Sequence, residues 1–157
     1  MQGDPRVIEY LNRAIPGELA AQNQYWLHSR MLDNWGIRKL AKHWLAEVDD
    51  ERRHCNRFIE RCIFLEGQPQ MQTIDRLRIG SDIPSLLAND LAAEMGAVAL
   101  YREAAAYCDS VDDFVTRDIF EATLADEEGH VNFLETQISL VGRLGVDLYV
   151  QHHIGKP

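Results

Sequence analysis

Four glutamates and two histidines recur in this sequence with a spacing that suits one kind of chemistry. Glu18 and Glu51 lie 33 residues apart, as do Glu94 and Glu127, and the second acid of each pair is followed three residues later by a histidine, His54 or His130. The whole set repeats at an offset of 76, which also relates Tyr25 to Tyr101 and Asp50 to Asp126. Positions i and i+3 share one face of a helix, so Glu51 points with His54 and Glu127 with His130. A single Glu-x-x-His carries little weight, since 12 Glu and 6 His in 157 residues predict about 0.5 such pair by composition. Two of them, each preceded by a glutamate at the same distance, form a pattern.

Each acid interrupts an otherwise apolar helical stripe: Leu11, Ile15, Glu18, Gln22, Tyr25; Trp44, Glu51, Cys55, Phe58; Leu87, Leu91, Glu94, Val98, Tyr101; and Phe120, Leu124, Glu127, Val131, Leu134. A lone buried carboxylate normally protonates or finds a cation, and no lysine or arginine stands on these stripes. The positive charge has to come from outside the chain. Two divalent ions balance four glutamates, and neutral imidazoles complete the coordination. Oxygen-rich ligation with one nitrogen per metal suits iron or manganese and is poor for structural zinc.

The elements that must bring these residues together are helices. Asp4-Pro5 gives a cap and an early proline for a first helix over about 5 to 34, ended near Gly36; a second, about 37 to 65, stops at Gly67 and Pro69. Gly80-Ser81-Asp82 before Ile83-Pro84 opens a third, about 83 to 109, and Ser110 opens a fourth, about 111 to 142. A short apolar piece, about 146 to 153, is too brief to stand alone and must dock. Short turns and one long connection arrange the four long helices as two antiparallel hairpins joined by a crossover, an all-α four-helix bundle in a single domain over 1–157.

Composition narrows the partners. The formal net charge of −9 repels nucleic acid and anionic membrane surfaces and attracts cations. No segment approaches the roughly 18 apolar residues of a membrane span, and the N-terminus carries no basic and apolar leader. Three cysteines, Cys55, Cys62 and Cys108, cannot all pair within one chain, which points to a reducing, cytoplasmic setting and to small core residues.

The segments Asn34-Trp35-Gly36, Phe58-Ile59-Glu60-Arg61, Phe64-Leu65-Glu66-Gly67, Ala105 to Ser110 and Asp126-Glu127-Glu128-Gly129-His130 resemble those of the bacterioferritins, over essentially the whole chain. The resemblance implies the ferritin-like fold with its long crossover and short fifth helix, in a cage of about two dozen subunits that stores ferric mineral. It implies ferroxidase activity, in which dioxygen or peroxide oxidises iron(II) at two iron ions per subunit. Glu18 and His54 would hold one iron, Glu94 and His130 the other, and Glu51 and Glu127 would bridge. Bacterioferritins also bind haem between two subunits through a methionine two residues before the first Glu-x-x-His histidine, and here that position is Arg52. A guanidinium has no lone pair to give to iron, so a homo-oligomer of this chain is expected to lack haem. Some members combine two chain types, which makes a mixed cage with a haem-bearing chain the second assembly to consider. Ala46 stands beside Asp50 where some members carry a histidine associated with an inner-surface iron site.

Other residues have two readings each. Tyr25 suits either a hydrogen bond to a ligand with electron donation during oxygen reduction, its catalytic reading, or a buried tyrosine with a satisfied hydroxyl; Tyr101 suits the same redox role or, as an aromatic on a core seam, packing. Asp50 and Asp126 adjoin bridging glutamates and suit either contacts to the ligand histidines or a solvated face. Glu47 suits iron guidance or an exposed helix position, and His28, His43, His152 and His153 suit packing or surface roles. Two rival functions fit the same pattern: a di-iron or di-manganese oxygenase or peroxidase, and a metal-free structural bundle.

Overall fold

The computed structural model describes residues 1–155; Lys156 and Pro157, the end of the expected domain range, lie outside the described residues. Five helices make up the fold: α1 Pro5–Asn34, α2 Arg38–Phe64, α3 Ile83–Ser110, α4 Phe114–Leu144 and α5 Val146–His153. Among the described residues there is no strand, and no helix is long and apolar enough to cross a membrane. α1 pairs with α2 and α3 with α4 as antiparallel hairpins, and the segment 65–82 crosses over between them.

The helix starts follow from local chemistry. Asp4 caps α1 by accepting from the Arg6 and Val7 N–H groups, with Pro5 at the first helical position where no N–H is needed. Asp82 and Ser85 form a reciprocal capping box at α3. Gly36, at φ +81°, makes the tight α1–α2 turn. The fourth helix begins at Phe114, three residues later than the Ser110 signal implies. The Ser110 hydroxyl donates to the Tyr107 carbonyl at 2.6 Å and so closes α3, while Asp113 accepts from the Thr116 N–H at 3.0 Å and caps α4. Asp112 takes the left-handed conformation at φ 60° in the turn between them. α4 runs through Gly142 to Leu144 and ends at Gly145, φ 78°. The short α5 docks by burying Tyr149, whose hydroxyl donates to Gln137 Oε1 at 2.8 Å.

Two apolar clusters divide the bundle lengthwise. One contains Leu11, Ile15, Phe58, Cys62, Cys108 and Phe120; the other contains Leu32, Leu40, Trp44, Leu86, Leu134 and Tyr149. All three cysteines are free and buried. The four glutamates of the repeat and His54 are buried with these clusters, and His130 is partly exposed.

The crossover is fastened along α1. Asn12 donates to the Gln68 carbonyl and accepts from the Gln70 N–H; Asp75 N–H donates to the Pro16 carbonyl; Arg78 N–H donates to Gln24 Oε1; and Gly80 N–H donates to His28 Nε2. Because His28 Nε2 accepts, its proton sits on Nδ1 and is donated to Asp90, 2.9 Å away. Asp90 also accepts from Gln24 at 2.7 Å and from the Trp44 indole at 2.8 Å. His28 thus has a packing role, but as part of a fully buried network that joins α1, α2, α3 and the crossover.

Asp90→Ala leaves three buried N–H donors without an acceptor, and urea unfolding is expected to show a loss of about 3–5 kcal/mol, with faster amide exchange in residues 76–82. A loss within 1 kcal/mol of zero contradicts this account of the network.

Candidate metal centre

All six residues of the repeat meet midway along the bundle. Glu18 comes from α1, Glu51 and His54 from α2, Glu94 from α3, and Glu127 and His130 from α4. Five of them are 2% exposed or less, and His130 is 13% exposed at its side chain. Their ligand atoms fall into two overlapping groups, Glu18, Glu51, His54 and Glu127, and Glu51, Glu94, Glu127 and His130, each with all atoms within 4.8 Å of one another. Glu51 and Glu127 belong to both groups.

The histidines turn Nδ1 inward. His54 Nδ1 lies 2.9 Å from Glu127, 3.5 Å from Glu51 and 3.7 Å from Glu18. His130 Nδ1 lies 3.0 Å from Glu127, 3.1 Å from Glu51 and 3.5 Å from Glu94. These atoms are close but are not aligned as hydrogen bonds. Glu18 Oε2, Glu51 Oε1, both Glu127 oxygens and both inward nitrogens are buried with no hydrogen-bond partner among the described residues. Buried polar atoms are nearly always paired, so a set of orphans facing common points marks a place for a ligand.

The outward nitrogens are held by carboxylates. His54 Nε2 contacts Asp126 at 3.1 Å and His130 Nε2 contacts Glu47 at 2.9 Å, the arrangement that fixes ring orientation in metal-ligating histidines. The 76-residue symmetry predicts Asp50 in Glu47's place. Asp50 instead stands 3.9 Å from His130 and is paired with Arg53. The repeat breaks here because its equivalents of Glu47 and Arg53 are Thr123 and Gly129. Glu47 Oε2 stands at ion-pair distance from His130 with no aligned hydrogen bond, and Glu47, Asp50 and His130 form a third group whose ligand atoms lie within 4.8 Å of one another.

Tyr25 donates to Glu94, and Tyr101 donates to Glu18. Each tyrosine reaches across the pseudo-twofold to the acid of the other hairpin. Tyr101 packs against Phe58 and Phe120, as its stripe implies, yet its hydroxyl does the same work as that of Tyr25. The 76-residue offset was the signal for it. His43 stacks on Phe133 with ring centroids 4.1 Å apart, while His152 and His153 lie on α5, away from the acids.

Without metal, protons take over the charge balance. Burial, then repulsion from Glu51, raises the Glu18 carboxyl well above the ordinary range; burial, then Glu51 and Glu127, does the same to Glu94. Burial also works against ionised Glu51 and Glu127, but the histidines beside them outweigh it and both stay below the usual range. Burial opposes protonation of His54 and His130, and the surrounding carboxylates overcome that and raise both. Protons are thus favoured on Glu18, Glu94 and the two imidazoles and disfavoured on Glu51 and Glu127, which offsets part of the carboxylate charge.

A family model for the ferritin-like domain matches residues 8–144. Bacterioferritin from Rhodobacter capsulatus is 51% identical over 92% of this chain and 90% of its own length, and that of Brucella melitensis is 46% identical over 96% and 94%. The solved structure of the Rhodobacter capsulatus protein, described with a metal-free dinuclear site and haem iron in a crystallographic special position, aligns at a TM-score of 0.98 with 47% identity, covering 99% of this chain and 98% of that one.

A cation bound among these groups competes with the protons that His54, His130, Glu18 and Glu94 favour. Anaerobic titration of the metal-free protein with cobalt(II) at pH 7 is expected to release protons, with affinity falling as pH falls because protons compete for the same atoms. Cobalt(II) binding with no proton release would refute this charge balance.

Proposed function

The chain belongs to the bacterioferritin family of ferritin-like proteins, and on that premise we propose that it stores iron, oxidising iron(II) at the buried layer of acids and histidines. What supports this reading is the convergence of unpaired ligand atoms in two groups that share Glu51 and Glu127. In it, Glu18 and His54 hold one iron, Glu94 and His130 the other, and Glu51 and Glu127 span both. Two iron(II) ions bring four positive charges to four carboxylates, so the site is neutral when it holds the pair.

Iron is the substrate. Two iron(II) ions, one dioxygen and two protons give two iron(III) ions and one hydrogen peroxide; with peroxide as oxidant, two iron(II) ions, one peroxide and two protons give two iron(III) ions and two waters. The protein's part is to hold the pair in register, keep bulk water out with the flanking apolar clusters, and move protons at named atoms. Asp126 and Glu47 keep the inward nitrogens of His54 and His130 aimed at the layer. Where peroxide meets a single iron(II), Tyr25 supplies the second electron: one iron(II), one tyrosine, one peroxide and one proton give one iron(III), one tyrosyl radical and two waters, with the phenolic proton leaving through the contact to Glu94. The assembly in this reading is a cytoplasmic cage of about two dozen subunits, to which the three free cysteines of a reducing compartment are suited.

Haem does not fit at residue 52. Arg52 lines a surface cavity of about 640 Å³ together with Leu19, Arg53, Ile59 and Met71, and a guanidinium cannot ligate iron. The crossover brings Met71 to the same cavity, the one thioether that faces it. We assign no haem to a homo-oligomer; in a mixed cage the haem would come with the partner chain.

Size-exclusion chromatography with in-line iron quantification after aerobic iron(II) addition is expected to show a large particle carrying far more than two irons per chain. A small species holding two would overturn storage. Glu127→Ala is expected to slow oxidation by about a hundredfold or more. Tyr25→Phe is expected to keep full cobalt(II) stoichiometry while losing a freeze-quenched tyrosyl signal.

Haem loading of the homo-oligomer is expected to give no bis-thioether Soret spectrum. Such a spectrum, lost in Met71→Leu, would refute the assignment and name Met71 as the ligand.

A further inference from the structure

The acid layer is approached by cavities on two opposite sides of the bundle, and the two differ in chemistry. Between α2 and α4 a cavity of about 250 Å³ is lined by Asp50, Arg53, His54, Asp126 and His130, a wall of charged and polar groups. Between α1 and α3 a cavity of about 220 Å³ is walled by Gly17, Ala20, Ala93, Gly96, Ala97 and Leu100. That wall offers mainly methyl groups and bare backbone, with Gln24 and Tyr101 as its polar side chains. At its inner end stand Glu18, Glu51 and Glu94, and at its outer end Arg13, Asp75 and Arg76. Glu18 Oε2 and Glu51 Oε1, each on a side chain about 1% exposed, are unpaired there, so the passage reaches the site itself. Asp75 is held across its mouth by the N–H donation to the Pro16 carbonyl.

A hydrated dication entering between α1 and α3 would pass two guanidiniums and one carboxylate and then give up water to a wall whose side-chain oxygens, those of Gln24 and Tyr101, are already engaged with the Arg78 N–H and Glu18, a large cost for a doubly charged ion. A small apolar molecule pays neither penalty. We propose that the α1–α3 passage carries dioxygen to the metal pair. This rests on the ferroxidase reading above and adds the route by which the oxidant arrives. The small residues at 17, 20, 93, 96 and 97 are then specificity-determining: they keep open a bore that any larger side chain would fill.

Gly96 provides the test, because a Cβ built there meets nothing within 4 Å, so a larger side chain is accommodated on the helix and projects into open space at the passage. Gly96→Leu, and the deeper Ala97→Leu, are assembled as full cages and compared with the parent protein. In both, anaerobic cobalt(II) stoichiometry and the stopped-flow rate of cobalt(II) binding are expected to be unchanged. The kcat/KM for dioxygen is expected to fall about tenfold, with kcat recovered at high dioxygen. Crystals of the parent protein under xenon pressure, a probe of apolar cavities, are expected to show a xenon site in the passage that is absent in Gly96→Leu. An unchanged dependence on dioxygen in both variants, slowed cobalt(II) binding, or no xenon in the parent passage would each overturn the proposal. Failure of the parent protein itself to bind two cobalt(II) per chain would overturn the ferroxidase reading instead.

Discussion

Four carboxyl groups and two imidazoles buried within one layer of a helical bundle cannot carry their solution charges there. In an interior of low polarity, like charges a few ångströms apart cost far more than any single packing contact returns. The layer is tolerable because its charge can be offset, by protons on the groups that favour them and, in the function proposed above, by divalent ions. That makes the same side chains compatible with a folded metal-free protein and with a loaded one. It also explains why the acids carry no lysine or arginine partners: a fixed cation would neutralise them permanently and close the place an ion must take.

Holding such a layer demands stiffness around it, and the internal repeat supplies this economically. Each hairpin contributes one acid, one Glu-x-x-His turn and one tyrosine, and each tyrosine reaches the acid of the other hairpin. The bonds across the layer are therefore exchanged between the halves. The symmetry is chemical before it is geometrical, and it gives way where the surroundings differ: His54 leans on Asp126, while His130 leans on Glu47 because Arg53 has engaged Asp50.

Much of this is legible in the sequence because it depends on local rules. Caps, early prolines and apolar periodicity mark α1 and α3, and the meeting of the four glutamates and two histidines follows from spacing once the helices are granted. Side-chain competition is what spacing does not reveal. Ser110 has the chemistry of a helix start, but its hydroxyl is taken by the Tyr107 carbonyl, and Asp113 caps α4 in its place. Tyr101 sits on a packing stripe, and nothing in its neighbours tells that its hydroxyl crosses to Glu18. Asp90 is one acid on the helix that carries Glu94. Its role appears only when α1, α2 and the crossover bring His28, Gln24 and Trp44 around it.

The contrast between Asp90 and Glu94, one helical turn apart on α3, shows how position decides what a buried carboxyl does. Asp90 receives three N–H donors from three different residues, so its oxygens are satisfied by the fold and it binds α1, α2 and the crossover together. Glu94 receives one hydroxyl, from Tyr25, and otherwise faces other acids and a histidine whose inward nitrogen is itself unpaired. A carboxyl saturated by neutral donors has no remaining need of a cation, and one surrounded by its own kind has nothing else to satisfy it. The fold thus spends one buried acid on rigidity beside the layer and leaves its neighbour unsatisfied within it. The crossover is fastened at Arg78 and Gly80 by Gln24 and His28 and at Asp75 by the Pro16 carbonyl, so the same segment that joins the buried network also borders the α1–α3 passage.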